Sequence, residues 1–236
     1  MLFVVLKHFW QAVLSLPVVG LLVRLLARVQ KSRRKEKEWF CMSKGQLGKK
    51  VRFTIIGIIA YIGTVFVCEF LGYVSPALWV FATAVAAIPG AISVVYLMQL
   101  RRTFGVLTLV GVLWALLMIA SGEVWTAIIP VWCVAVAVIA DVVRTALGAG
   151  TRKALRISYP LFALMPFGQF ISLWLNTDTY AAMAAKEMGT EGYAAGLTAF
   201  ATPIGLLGVL AAILVCGVIG ERIAEVIWKK KIGDMV

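Results

Sequence analysis

The sequence predicts an all-α integral membrane protein built as a six-transmembrane-helix bundle, and three observations carry that expectation. Of the 236 residues, 62% belong to the hydrophobic set and 14% are charged, and the mean hydropathy is +0.96, more apolar than the usage of soluble domains. The apolar residues fall in long uncharged runs, which in lipid must be helical because each backbone polar group has to be satisfied within its own segment. Basic residues mark every second connection between the runs, the asymmetry that orients membrane helices.

From Phe53 onward six stretches stand out, at 53–74, 76–100, 104–121, 124–143, 157–175 and 202–220. Each is close to the ~20 residues a spanning helix needs. Pro76, the pair Arg101-Arg102, Ser121-Gly122-Glu123, the basic loop from Arg144 to Arg156 and the polar segment from Asn176 to Thr198 separate them. Lys49, Lys50 and Arg52 precede the first span, Arg101 and Arg102 follow the second, and Arg144, Arg152, Lys153 and Arg156 follow the fourth. Arg222 and Lys229 to Lys231 close the sixth. The alternate connections carry Ser75, Glu123, and Asp178, Glu187 and Glu191 against Lys186. The positive-inside rule then puts both ends of the six-helix core in the cytoplasm of a multi-pass cell-membrane protein, with the loop from Asn176 to Thr198 extracytoplasmic.

Residues 1–41 are expected to form a separate basic extension ahead of the membrane domain, 42–236. Phe9 to Val23 is apolar but short for a span and is interrupted by Pro17. Beyond it Arg24, Arg28, Lys31 and Lys35 share a helical face, with Leu22, Leu25, Leu26 and Val29 available to lipid. This is the pattern of an interfacial amphipathic helix. A seventh span, a signal peptide, or a natural start at Met42 are the competing readings.

The formal net charge of +12 does not point to nucleic acid, because Lys and Arg gather at helix ends and in the first 50 residues, where lipid headgroups explain them. Cys41, Cys68, Cys133 and Cys216 are scattered without CxxC spacing, and His8 is the only histidine. No metal site and no disulfide framework is expected. Serine–histidine–aspartate sets, HExxH and Walker loops are absent, so the chain is not expected to be an enzyme.

Small residues recur at helical spacing: Gly57, Ala60 and Thr64 in span one, Ala82, Ala86 and Gly90 in span two, and Gly205, Gly208, Ala212, Cys216 and Gly220 in span six. Such stripes let backbones approach, either within the bundle or onto a partner. Ionisable residues inside spans are few. Asp141 precedes Arg144 by three, a local pair at the interface, and Glu221 and Glu225 sit near basic residues. Glu69 has no base within a helical turn, so it faces either a polar cavity or the headgroups.

Span five holds Pro160, Pro166, Gly168 and Gln169, which should bend the helix and free carbonyls that only protein or a water-filled cavity can satisfy. Ser172, Trp174, Asn176, Thr177, Asp178 and Tyr180 follow it. With Glu69, Trp125 and Tyr193 they are expected to converge on the outer half of the bundle as a small-molecule site. An interfacial aromatic belt would explain Trp79, Trp125 and Trp174 equally well.

Over about residues 48 to 234 the chain resembles the substrate-binding S components of energy-coupling factor (ECF) transporters, of the MptS or Trep_Strep type. The residues that carry the resemblance are Ala87-Ile88-Pro89-Gly90, Arg101-Arg102-Thr103-Phe104-Gly105, Ala140-Asp141, Trp174 with Asp178-Thr179-Tyr180, Gly189, Tyr193, and Gly217 to Arg222 with the basic tail. The resemblance implies a bundle that captures a micronutrient outside and releases it inward after toppling on a transmembrane T component driven by two ATPases. It also implies a docking face of small residues on span one, here Gly57, Ala60 and Thr64 in place of the usual Ala-x-x-x-Ala. No cofactor of its own is implied. The cargo would be vitamin-like; for a haem-like compound Tyr180, Tyr193, Met183 or Met188 would have to serve as axial ligands. The competing reading is a non-catalytic assembly protein that packs as a homo-oligomer through the small-residue stripes.

Overall fold

The computed structural model describes residues 44–121, 127–188 and 191–232; the proposed basic extension 1–41 and Trp125 lie outside them. The chain divides into two units, Met1–Lys44 and Gly45–Val236, and the second carries the membrane helices. The described residues are all-helical: α1 Lys44–Glu69, α2 Pro76–Val80, α3 Ala82–Leu100, α4 Val106–Ser121, α5 Ile128–Ala146, α6 Arg152–Ala163, α7 Ser172–Leu175, α8 Thr177–Met188, α9 Glu191–Thr198 and α10 Pro203–Ile232. Short 3-10 turns at Phe70–Tyr73 and Pro166–Gln169 extend α1 and separate α6 from α7.

Among the described residues four segments are long and apolar enough to cross a bilayer: Lys50–Tyr73, Ala82–Leu100, Ile128–Ala146 and Pro203–Trp228. Helix α4 is as apolar but has only 16 residues. The outward side chains fit a lipid setting. Ile59, Val67, Leu207 and Val226 are each at least 64% exposed, unfavourable against water and ordinary against hydrocarbon.

Two expected spans are broken. The stretch 76–100 starts as α2, where the Ser75 hydroxyl caps the helix by accepting from the Leu78 N–H at 3.2 Å. It stops at Phe81, whose ring meets Phe200 edge-on at 6.0 Å, before α3 resumes. The stretch 157–175 is not one bent helix but α6, a 3-10 turn and α7. Pro166 has no N–H to continue the ladder, and the carbonyls released there find donors on α5. The Trp132 indole donates to Leu164 O at 2.9 Å and the Cys133 thiol to Met165 O at 3.4 Å. Protein thus supplies what lipid cannot.

Close packing falls where small residues permit it. Helix α10 lies tightest on α3, and a Cβ on Gly220 would sit 2.6 Å from Ala87 O. On α4, a Cβ at Gly111 would run into the Ala137 methyl of α5. Gly90 receives the Tyr61 ring, so the Ala82, Ala86 and Gly90 stripe is buried packing within the bundle. Gly208 of α10 has open space beside it. The core forms two clusters. One gathers Tyr61, Leu97, Trp114, Cys133, Phe162 and Met165; the other gathers Val80, Phe167, Phe170, Tyr180, Leu197 and Ile213.

Candidate functional site

Side-chain hydrogen bonds sort the polar residues into two ends. At the basic end the connection from α3 to α4 is tied to α5 by a buried ion pair. Asp141 and Arg144 are both fully buried and pair at 2.8 Å. Gly105, at φ +108°, adopts the left-handed region that glycine enters without strain. Its N–H donates to Asp141 Oδ2 at 2.6 Å, joined by the Thr108 hydroxyl at 3.2 Å and the Thr108 N–H at 3.3 Å. Asp141 therefore caps the start of α4 from another helix, satisfying donors that every helix leaves open. Arg144 does the converse for α3, donating to Met98 O at 3.3 Å, Arg101 O at 2.8 Å and Thr103 O. The pair expected at the interface is instead a saturated, buried clamp.

At the opposite end lie α2, α7, α8 and α9 with the ends of α1 and α10. Gln169, in the 3-10 turn, donates from Nε2 to Glu69 Oε1 at 2.6 Å, across 100 residues of sequence. The break in the fifth stretch thus presents Gln169 to the carboxylate that α1 carries at its last position. The Trp79 indole donates to the Tyr180 hydroxyl at 2.7 Å, and the Trp79 ring meets Phe170 edge-on at 5.3 Å. The Tyr193 hydroxyl donates to Gly72 O at 2.5 Å, and burial, reinforced by the neighbouring Tyr73, pushes it up to about 12. The Trp174 indole is shared between Phe200 O at 2.9 Å and Thr202 O at 3.1 Å, while its ring packs on Phe167 at 5.5 Å. The hydroxyls of Thr83, in the first turn of α3, and Ser172, at the start of α7, are buried without a hydrogen-bond partner among the described residues.

Of the eight expected binding residues, Glu69 and Gln169 are joined directly. Tyr180, Trp174 and Tyr193 sit in the same loop-end assembly through other partners. Asn176 and Asp178 are exposed at the start of α8. Asn176 Oδ1 accepts from the Thr179 hydroxyl at 3.1 Å, and Asp178 lies in the first helical turn, where a carboxylate complements the helix dipole. Trp125 is outside the described residues. Along α1, Gly57 is turned inward, with a Cβ there reaching to 2.6 Å from Leu97, whereas Ala60 is exposed and Thr64 partly so. Trp79, Phe170 and the Gly72 carbonyl were not singled out as site residues. The only hint of Trp79 was the aromatic belt, and nothing in the sequence announces a carbonyl. No group of three or more metal-ligating side chains occurs among the described residues.

Residues 49–232 match the model of a family described as a hypothetical bacterial integral membrane protein, Trep_Strep. This chain belongs to the Trep_Strep family. No curated protein and no solved structure matches it. The Trep_Strep match runs from α1 to the last described residue of α10 and so contains both polar ends. Two of the stretches that carried the resemblance, Arg101 to Gly105 and Ala140-Asp141, meet in the buried clamp. In this Trep_Strep chain those stretches serve to hold helices together, and Glu69, Gln169, Trp174, Tyr180 and Tyr193 lie at the other end.

Proposed function

We propose that this Trep_Strep protein is the substrate-binding membrane subunit of an ECF-type importer and captures a small vitamin- or cofactor-like molecule from the extracytoplasmic side. The observation that carries the reading is the Glu69–Gln169 bond at the helix break. An acid and an amide held together in an apolar bundle, at the end that also carries Trp79, Phe170 and Trp174, are the kind of groups that orient a small ligand. Nothing about packing requires that pair, since two apolar residues would fill the same volume without the desolvation cost.

In this reading the chain crosses the cell membrane six times. The four long apolar segments are joined by the shorter α4 and by the broken α6–α7 pass, and both ends of the core are cytoplasmic. The basic connections then face inward and the Glu69–Gln169 end outward. Capture involves no catalysis by this chain. Energy comes from two ATPase subunits through a T component, which docks on the outward part of the α1 stripe, Ala60 and Thr64, with Gly57 setting how closely α1 lies on α3. For a haem-like cargo the hydroxyls of Tyr180 and Tyr193 are already hydrogen-bonded to Trp79 and Gly72, which leaves Met183 or Met188 as axial ligands.

Co-expression with a T component and two ATPases tests the partnership, and the four chains are expected to purify together in mild detergent. Recovery of this chain alone, under conditions that hold other such complexes together, counts against it. Cross-linking that yields only self-dimers would favour the homo-oligomeric assembly reading.

A further inference from the structure

At the basic end, away from the proposed site, α6 and α10 build a second arrangement of charge. Glu225, only 16% exposed, receives Arg152 Nε at 3.1 Å and Arg156 Nη2 at 3.2 Å, with Arg222 Nη1 at 4.0 Å. The arginines themselves stand outward, 66%, 40% and 53% exposed respectively. One half-hidden carboxylate thus gathers three guanidiniums, two closely and Arg222 at the 4.0 Å limit of an ion pair, and each keeps most of its five N–H donors for something else. Lys153 is exposed beside them. Arg222 also lies 3.7 Å from Glu221, so four positive charges face two negative ones, an excess of two. Helix α6 begins here with Thr151 as its cap and has no acid in its first turn, where the helix dipole favours negative charge.

The depth of this patch in the membrane follows from α10. Arg222 is 19 residues beyond Pro203, the first residue of α10, which at ~1.5 Å per residue is roughly 28 Å, about one hydrocarbon thickness. The headgroup level is therefore where the patch lies. About 9 Å further along α10, the Trp228 indole donates to Ile92 O at 2.8 Å with its ring 4.7 Å from that of Tyr96, an amphipathic ring beyond the patch in the manner of interfacial aromatics. Ile157, Ile223 and Ile227 flank the arginines and are exposed, offering acyl chains an apolar surface beside the charges.

We infer that Arg152, Arg156 and Arg222, held by Glu225, form a binding site for the headgroup of an anionic phospholipid. Guanidiniums suit phosphate because they donate in parallel pairs, and a helix start with free N–H groups adds to the attraction. Glu225 is a positioning residue here: it orders the three side chains and leaves an excess of positive charge outward.

Native mass spectrometry of the full chain, released from nanodiscs of equal phosphatidylglycerol and phosphatidylcholine, tests this. Preferential retention of phosphatidylglycerol is expected, weakened about fivefold by each of Arg152→Gln, Arg156→Gln and Arg222→Gln. Arg52→Gln removes the same charge from the same end and is expected to leave retention unchanged. Each arginine-to-lysine variant, which keeps the charge and tests for misfolding, should retain more of the lipid than its glutamine counterpart. Equal retention of the two lipids by the native chain overturns the inference. So does a loss in Arg52→Gln as large as in the patch variants, which would mean net charge alone. Unchanged lipid retention in the glutamine variants, with loss instead of a co-purifying protein, would assign the patch to a protein partner and overturn it equally.

Discussion

Asp141 and Glu69 are both carboxylates near the ends of apolar helices, and the two ends of the bundle treat them differently. Asp141 is fully buried and accepts from Gly105, Thr108 and Arg144, so all its acceptor capacity is met by fixed groups from α4 and α5. Glu69 is half-buried, has no base within a turn of its own helix, and takes a neutral amide from a broken segment. A charge saturated by its own protein, with its counter-ion three residues on, is there to hold helices in place. A carboxylate joined to an amide at the break of another helix is placed by the tertiary fold and suits a site that orients a ligand.

The largest effect should come from opening the clamp. Asp141→Ala strands the Arg144 guanidinium in the core and is expected to cost about 3–5 kcal/mol of stability, measured by denaturant unfolding in detergent. Replacing both members, Asp141→Leu with Arg144→Met, should cost clearly less than the single change. A loss below ~1 kcal/mol for Asp141→Ala would remove the distinction between the two ends. Next is the helix break. Trp132→Phe leaves Leu164 O without its donor, an expected loss of about 1–3 kcal/mol, and the same unfolding assay reads it. Tyr180→Phe deletes the hydroxyl that Trp79 donates to and should cost about 1 kcal/mol; no change at all would show that bond to be incidental.

The smallest effect is one of pH. Burial pushes Tyr193 up to about 12 from the ordinary 10.0, so the fold favours its protonated form. Its contribution to stability is fully present below about pH 10 and is lost as pH rises toward about 12. The ultraviolet titration of the native chain minus that of Tyr193→Phe should leave a single tyrosine ionising near pH 12. A difference centred on the ordinary tyrosine value would contradict this.

Much of this arrangement is legible in the residues before any coordinates. Hydropathy marks the apolar segments, and alternating basic loops group the helix ends correctly: Arg101 meets Thr54 at 3.0 Å, and the Arg102 side chain packs against Gly150. Pro160 and Pro166 announce the disturbance in the fifth stretch because proline removes a donor wherever it stands. The break at Phe81 has no such residue, and the Phe200 ring that meets Phe81 there is distant in sequence. Asp141 and Arg144 are visible as a pair at i,i+3, but not as caps of α4 and α3, since capping between helices depends on where they cross. Glu69 and Gln169 each stand out as polar residues in apolar surroundings, yet their bond is a matter of tertiary placement. Gly57 shows how a stripe read along one helix can divide, one member facing a neighbour and the others facing out.

The central claim, that the Glu69–Gln169 end captures a small molecule, is tested most directly by mass spectrometry of what co-purifies with the gently solubilised chain. The account predicts one small molecule at near-stoichiometric amount in the native protein. Retention should fall about tenfold or more in Glu69→Gln, the equivalent of losing one hydrogen bond to a charged group, with stability changed by less than ~1 kcal/mol. A native protein that carries no small molecule, or a Glu69→Gln variant that keeps it unchanged, would contradict the account.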